Sequence, residues 1–586
     1  MGPTASTASS SDWRARLRAA TPLLTALGTL AVLAGIVGAR MLAEPIQPYG
    51  EHGAEYLEHL DRLRVVRAWW EIGLGAPGDL VRAWDQGFPF GLHLVGAPFG
   101  AVFGHSAKTV AWSGLLWLIP LALAVGSVVV SLDPWSGPAA EARVTRLAGI
   151  VGVLLLPAVH AAATRYHYDL PLTALIWVAA AVQLRWQDER PFRAGVAAGL
   201  LLFGAGLIKW GALPLGVPLL AACWLAPPRV TSKGTVRPRG NRRLVALVMA
   251  GLASGALLLG FLAVSDQSFS MMASGTFGEI GGAAEPEPLR FDEGLSVGIA
   301  DAISRVGEAL PGSPGDRLVA YLVHVVIGML SPLLSVALLV CFVAWIGAGG
   351  PGMLMAAVAL AGQLGFLVLG VPPMDERFLL PSLPWAAVIA VLGWRGFARG
   401  SRGRAAVVLV ALALFVAHDL HHGDDPPWAF HKVWRETDTE FPHAQGRGIM
   451  LSSSFNQLGW SRRDDTLPAR TAEREAVWQA VVDCGARDVL VAPGVITDKG
   501  TSIWWEYRRV LAFVEEGGEP PIPVALADPD TARVDLAWTV VVTNRGPLPE
   551  APALTGQWEI AARVPEPGGS SETLIWRRAG RPLCGT

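Results

Sequence analysis

The chain has 586 residues, of which 52% are hydrophobic and only 16% charged, with a mean hydropathy of +0.40. A water-soluble protein carries nearer a quarter charged residues, so a wholly soluble protein is excluded and an integral membrane protein is expected. The net charge of −2 offers no basic surface, and no nucleic-acid partner is expected.

Sliding a window of about 19 residues finds repeated apolar runs with few charges. They predict a polytopic α-helical membrane protein of about eleven transmembrane helices, at approximately 21–43, 109–132, 145–163, 169–185, 194–210, 212–226, 244–265, 318–347, 352–371, 379–394 and 404–419. The first run lacks a small-residue cleavage site, so it is expected to remain as a helix and not to leave as a signal peptide. Residues 88–103 (FPFGLHLVGAPFGAVF) are apolar but short and rich in Gly and Pro, and they suit a re-entrant or interfacial helix.

Positive charges set an expected orientation. Arg14, Arg16 and Arg18 precede the first span; Arg143 and Arg146, then Arg185, Arg190 and Arg193, fall in later connections. Arg229, Lys233, Arg237, Arg239, Arg242 and Arg243 follow, and Arg395, Arg399, Arg402 and Arg404 come last. All alternate onto one side, which the positive-inside rule makes cytoplasmic. Arg62, Arg64 and Arg67 are the main exception. The expected organisation is a cytoplasmic segment 1–20, a membrane domain 21–420 with a first outer loop 44–108, and an extracytoplasmic (periplasmic) domain 421–586 of a bacterial cytoplasmic-membrane protein.

The last 166 residues of that scheme read as a small α/β domain. Strands are expected at 448–453, 488–492, 536–542, 558–564 and 573–576, with a helix at 471–484 that ends at Gly485. A helix followed by Gly and an apolar strand suggests βαβ wrapping. No glycine-rich phosphate fingerprint follows any of these strands, so no nucleotide site is expected. Cys484 and Cys584 both lie here; they either pair or stay as thiols, and sequence leaves both open.

Chemistry-bearing residues gather at the outer boundary. Glu51, His52, Glu55, Glu58 and Asp61 lie just beyond the first span. On a helix Glu51, Glu55 and Glu58 share a face, and grouped carboxylates beside an apolar boundary raise one another's pKa, which suits a general base. The same residues also suit a solvated face that balances Arg62, Arg64 and Arg67. Next comes Thr164-Arg165-Tyr166-His167-Tyr168-Asp169-Leu170-Pro171 at the mouth of the fourth span. Asp169 is either a helix-start acid or a substrate ligand, and the Tyr-His-Tyr-Asp run offers hydrogen bonds to a polyhydroxylated substrate.

Lys209, in Gly206-Leu207-Ile208-Lys209-Trp210, stands near the outer end of the fifth span. It either snorkels to the surface or meets a phosphate there. Arg377, in Asp375-Glu376-Arg377-Phe378-Leu379-Leu380-Pro381, either grips a phosphate bidentately or pairs with Asp375 or Glu376.

In this order the motifs resemble the C-type (GT-C) membrane glycosyltransferases, in the family 39 and lipid A aminoarabinose transferase branch. They are the carboxylate loop, GAPFGAVFG, YHYDLPLTAL, GLIKWGALP and DERFLLPSLP, and the resemblance covers roughly residues 20–420. It implies an inverting enzyme that moves a sugar from a polyprenyl-phosphate donor to an acceptor hydroxyl outside the cytoplasmic membrane. Glu55 or Glu51 matches the base, Asp169 the second acid near the acceptor, and Lys209 and Arg377 the cations that hold the donor phosphate. His52, Tyr56, Arg165, Tyr166, His167 and Tyr168 would then line the acceptor pocket. The usual Asp-Glu-x-x-Tyr pattern is altered here, because Tyr56 is preceded directly by Glu55.

Some relatives hold a divalent metal, for which Glu51 and His52 are the residues at hand, but no metal-ligand spacing here is specific. The expected partners are the lipid-linked sugar, membrane lipid, and a glycan, lipid or protein acceptor. A secondary transporter is the first competing reading; it would show paired repeats and charged or broken helices near the midplane, and no such repeat occurs. A non-catalytic scaffold with an exported binding domain is the second.

Overall fold

The computed structural model describes residues 90–103, 113–133, 139–163, 168–209, 211–227, 229–231, 234–236, 240–264, 313–323, 332–350, 352–370, 376–400 and 402–421. It also describes five strands between 489 and 578 with a few residues around them, and isolated positions elsewhere. The chain divides into two compact units. One comprises Met1–Ala43, Trp69–Val95 and Ala111–Ser461; the other comprises Glu44–Ala68, Gly96–Val110 and Arg462–Thr586.

The described helices are α1 (Gly91–Phe103), α2 (Leu118–Leu132), α3 (Ala139–Leu154), α4 (Pro157–Ala163), α5 (Asp169–Trp186), α6 (Pro191–Gly206) and α7 (Ala212–Ala222). They continue as α8 (Gly240–Val264), α9 (Pro314–Val323), α10 (Pro332–Gly347), α11 (Met353–Gly370), α12 (Pro384–Gly400) and α13 (Arg402–His421). A 3-10 segment, Glu376–Ser382, precedes α12. Among the described residues, Ser113–Leu132, Gly240–Ala263, Met353–Gly370 and Phe378–Arg399 are long and apolar enough to cross a membrane. Apolar side chains crowd the outer surfaces: Leu339 of α10 is 61% exposed and Val407 of α13 69%. Such a surface suits acyl chains and not water, so this is a membrane protein.

Two expected spans are interrupted. The span expected at 145–163 is α3 followed by α4, with Pro157 opening the second helix. The span expected at 318–347 is α9 followed by α10, with Pro332 opening the latter. Proline has no amide hydrogen for the preceding turn but fits the first helical position, so a hydropathy window averages over breaks that the backbone cannot ignore. Residues 91–103 are helical, as the short Gly- and Pro-rich run predicts.

Burial separates the core helix from its lipid-facing neighbours. Nearly every residue of α5 from Asp169 to Leu184 is buried, with Asp169 in the first turn and Arg185 in the last, where each favours the helix dipole. By contrast α8 buries one narrow stripe, against α6. Gly195 and Gly199 of α6 make this possible: a Cβ on them would lie 2.3 Å from the Ala246 oxygen and 2.5 Å from the Ala250 oxygen. Small residues four apart let two backbones approach where lipid gives no hydrophobic drive.

A polar ladder fixes α5 to α7 inside the apolar interior. Gln183 Nε2 donates to the Leu220 oxygen and Gln187 Nε2 to the Cys223 oxygen, each at 3.0 Å. At the end of this row Arg243 donates to the Trp224 and Ala226 oxygens, which terminate the α7 run. The loop between α7 and α8 holds a hairpin, β1 (Arg229–Thr231) and β2 (Gly234–Val236), which the charge-based reading of that loop did not foresee.

In the second unit, five strands form one sheet in the order β4-β3-β5-β7-β6. They are β3 (Val489–Val491), β4 (Val524–Leu526), β5 (Val540–Asn544), β6 (Trp558–Pro565) and β7 (Glu572–Arg578). The pairs β3–β4 and β3–β5 are parallel, whereas β7 runs antiparallel to both β5 and β6. Parallel neighbours require crossovers, and those between β3, β4 and β5 lie outside the described residues. Val477 and Val481, four apart on a helical stretch ahead of β3, are both buried. β4 was not foreseen, and the strand expected at 448–453 lies outside the described residues.

Candidate functional site

The site is built where several helices of the first unit begin or end. α6 stops at Gly206 with Leu207 as its C-cap, and the Lys209 amide still reaches the Ala205 oxygen at 3.0 Å. The Lys209 oxygen accepts from the Ala212 amide at 2.9 Å, so α7 starts directly from the lysine. α1 docks onto the same bend: the Gly91 amide donates to the Leu207 oxygen at 2.7 Å. A Cβ on Gly91 would lie 2.6 Å from that oxygen, so only glycine permits the contact.

α5 contributes its N-terminus. Tyr168 is the N-cap residue but gives no side-chain cap, and Asp169 is the first helical residue, 7% exposed. The Asp169 oxygen accepts from Thr173 Oγ1 at 2.7 Å. The residue is therefore a first-turn acid and not the capping residue, and its negative charge sits at the favourable end of α5.

The lysine and the tyrosine meet. Lys209 Nζ lies 3.7 Å from the centroid of the Tyr168 ring and 4.8 Å from that of Phe378. The Nζ and the Tyr168 hydroxyl are both buried. An ammonium over two ring faces gains about 0.5–2 kcal/mol, more as water is removed. The ring contacts leave the ammonium its full charge. The starts of α5 and α7 adjoin this residue through the Tyr168 ring and the Lys209 backbone, and helix N-termini favour negative charge.

Of the expected site residues, the structure thus joins Tyr168 to Lys209 and sets Asp169 beside Tyr168 in the chain. The backbone of Arg377 lies in the 3-10 segment next to Phe378; its side chain lies outside the described residues. Glu51, His52, Glu55, Tyr56, Arg165, Tyr166 and His167 also lie outside them. Phe378 was not anticipated, since an aromatic in an apolar run carries no mark distinguishing a cation's neighbour from a core residue. Among the described residues no three His, Cys, Asp or Glu side chains gather, so no donor set there fits a divalent ion.

The chain is similar over 99% of its length to the crystal structure of ArnT from Cupriavidus metallidurans bound to undecaprenyl phosphate. That match covers 100% of ArnT with 14% identity and a TM-score of 0.48. The apo form of the same protein gives 15% identity and a TM-score of 0.46, covering 97% of this chain and 98% of that one. The apo oligosaccharyltransferase of Archaeoglobus fulgidus is similar at 11% identity and a TM-score of 0.39, over 89% of this chain and 69% of that one. Both proteins have the GT-C fold. At this identity and TM-score the similarity assigns no chemistry. No protein-family model matches the chain, and no curated protein matches it.

Proposed function

We propose that the protein is an inverting membrane glycosyltransferase. It moves a hexosyl or pentosyl group from a polyprenyl-phosphate donor to the hydroxyl of an extracytoplasmic glycan, lipid or protein acceptor. The observation that carries this reading is the buried Lys209 ammonium, 3.7 Å from the Tyr168 ring and 4.8 Å from the Phe378 ring, beside the start of α5. A cation in an apolar setting costs about 2.5–3.5 kcal/mol at mid-bilayer and less near the interface, where Lys209 is expected. An anionic headgroup entering from the membrane would add a charge-assisted contact there, and a lipid phosphate is the anion a bilayer supplies.

The chemistry then needs few parts. A carboxylate of the first outer loop, Glu55 or Glu51, takes the proton of the acceptor hydroxyl. The hydroxyl oxygen attacks the anomeric carbon from the face opposite the phosphate. The bond from that carbon to the phosphate oxygen breaks, and the phosphate leaves with the electron pair. Lys209, with Arg377 as its proposed partner, stabilises the developing negative charge. Asp169, with Arg165, Tyr166, His167 and Tyr168, is assigned to the acceptor side. No step passes through a metal. The reading places the first outer loop and an α/β domain over 421–586 on the extracytoplasmic face.

Purified protein offered a radiolabelled polyprenyl-phosphate sugar tests this. Label transferred to an acceptor, and lost in Lys209→Met, is the expected result. Label accumulating inside vesicles without transfer favours a transporter, and neither outcome in any acceptor mixture leaves the scaffold reading standing.

A further inference from the structure

Three elements bracket the Lys209 ammonium: α5 brings Tyr168, the start of α7 brings the lysine, and the 3-10 segment brings Phe378. The last is the weakest by construction. Seven residues in 3-10 form with Pro381 inside exceed the three or four that such helices usually sustain, and proline withholds a donor. Something outside the segment must hold it.

Three polar side chains do so, two of them buried and Ser382 half-buried. Trp177 Nε1, on α5, donates to the Pro381 oxygen at 2.8 Å. Ser382 Oγ donates to Gln363 Oε1 at 3.1 Å, and Gln363 Nε2, on α11, donates to the Leu215 oxygen of α7 at 3.1 Å. Trp177 and Gln363 are fully buried. Burying an amide in an apolar interior costs free energy unless it is bonded, and here both ends of one amide are used. Gly362 brings α11 close enough, since a Cβ there would lie 2.5 Å from Pro218 Cβ of α7. The Trp385 ring backs Trp177 edge-on at 5.2 Å.

We infer that Trp177, Gln363 and Ser382 are positioning residues: they lock the three elements around Lys209 into one geometry and so set affinity for an anionic lipid headgroup. The inference rests on the proposed function. Each element that supplies a group to the bracket is tied to another below it. The 3-10 segment is tied to α5 through Trp177, and to α7 through Ser382 and Gln363. None of the three side chains needs to touch the ligand.

The protein contains its own control. Gln183 and Gln187 make the same amide-to-carbonyl bonds to α7 and the turn after it, at the same depth of burial, but they make none to the 3-10 segment. The test uses the full chain in detergent, with polyprenyl phosphate and the matching polyprenyl alcohol as probes. Gln363→Leu, Trp177→Phe and Ser382→Ala are compared with Gln183→Leu and Gln187→Leu for affinity, thermal midpoint and amide hydrogen exchange over 376–383.

Gln363→Leu and Trp177→Phe should weaken polyprenyl phosphate by roughly three- to thirtyfold and speed exchange in that segment, with Ser382→Ala smaller in the same direction. The two controls should lower the thermal midpoint comparably yet keep wild-type affinity and exchange. Controls that weaken binding equally, or clamp variants with wild-type affinity and exchange, overturn the inference. Wild-type protein that takes the alcohol as well as the phosphate overturns the functional reading and this inference with it. That failure is told apart because it appears before any substitution is made.

Discussion

Arg243 grips Asp188 across 55 residues of chain, Nε to Oδ1 at 2.8 Å and the NH2 nitrogen to Oδ2 at 2.9 Å. The side chains are 4% and 5% exposed. The same guanidinium closes the carbonyls after α7, and Arg242 bonds the Asp188 backbone oxygen at 2.8 Å. This pair therefore joins the end of α5, the end of α7 and the start of α8 at one corner. Removing one partner leaves a buried charge uncompensated, so Asp188→Ala should cost about 3–5 kcal/mol. The double variant Asp188→Leu with Arg243→Leu should recover part of that loss, as read by thermal unfolding in detergent. A single variant as stable as wild type would show that water already reaches the pair.

At Lys209 the expected loss is in binding. Lys209→Met keeps the stem and removes the charge, and should weaken polyprenyl phosphate about ten- to hundredfold, the range of a charge-assisted hydrogen bond. Tyr168→Phe preserves the ring under the ammonium at 3.7 Å and should lose less than Tyr168→Leu. Equal losses in the two tyrosine variants would assign the effect to the hydroxyl and not to the ring face.

For the first-loop carboxylates the expected pattern is the opposite. Glu55→Gln or Glu51→Gln should lower the rate of sugar transfer about 10²–10⁴-fold while lipid-phosphate affinity stays near wild type, because a base acts in the transition state. Separate kcat and affinity measurements on each variant decide which one is the base. Full transfer activity in the double variant would remove both from the mechanism.

How much of this was legible depends on how local the signal is. Lys209 stands out because a lone cation in an apolar run is costly, and Tyr168 because it belongs to a polar cluster at a span's mouth. Asp169 was legible as a helix-start residue, but only the backbone distinguishes the first helical position from the cap. Phe378 and Trp177 were not legible: their roles come from contacts 169 and 204 residues away in the chain, which no periodicity reports. Gln363 is one polar residue in an apolar run, and its sequence position discloses neither of its partners. The helix breaks at Pro157 and Pro332 were lost because a hydropathy window scores composition and not hydrogen bonds. Strands β3, β5, β6 and β7 overlap the expected runs, whereas Val524–Leu526 is too short and too proline-flanked to register. The first-loop acids stay a reading of sequence, lying outside the described residues.

The α6–α8 contact gives a sign test within one pair of helices. A methyl group on Gly195 would sit 2.3 Å from a backbone oxygen of α8 and one on Gly199 2.5 Å from the next, and backbone cannot swing aside as a side chain does. Gly195→Ala and Gly199→Ala should each force the helices apart and destabilise by about 1–3 kcal/mol. On α8 itself, Gly251 and Gly255 are spaced in the same way, but a methyl group there meets nothing within 4 Å. There the substitution adds only helix propensity, with an upper bound of about 1 kcal/mol in the stabilising direction. Thermal midpoints of the four alanine variants in detergent should therefore split, falling for the α6 pair and holding or rising for the α8 pair. A common shift for all four would mean that the two helices do not pack through Gly195 and Gly199.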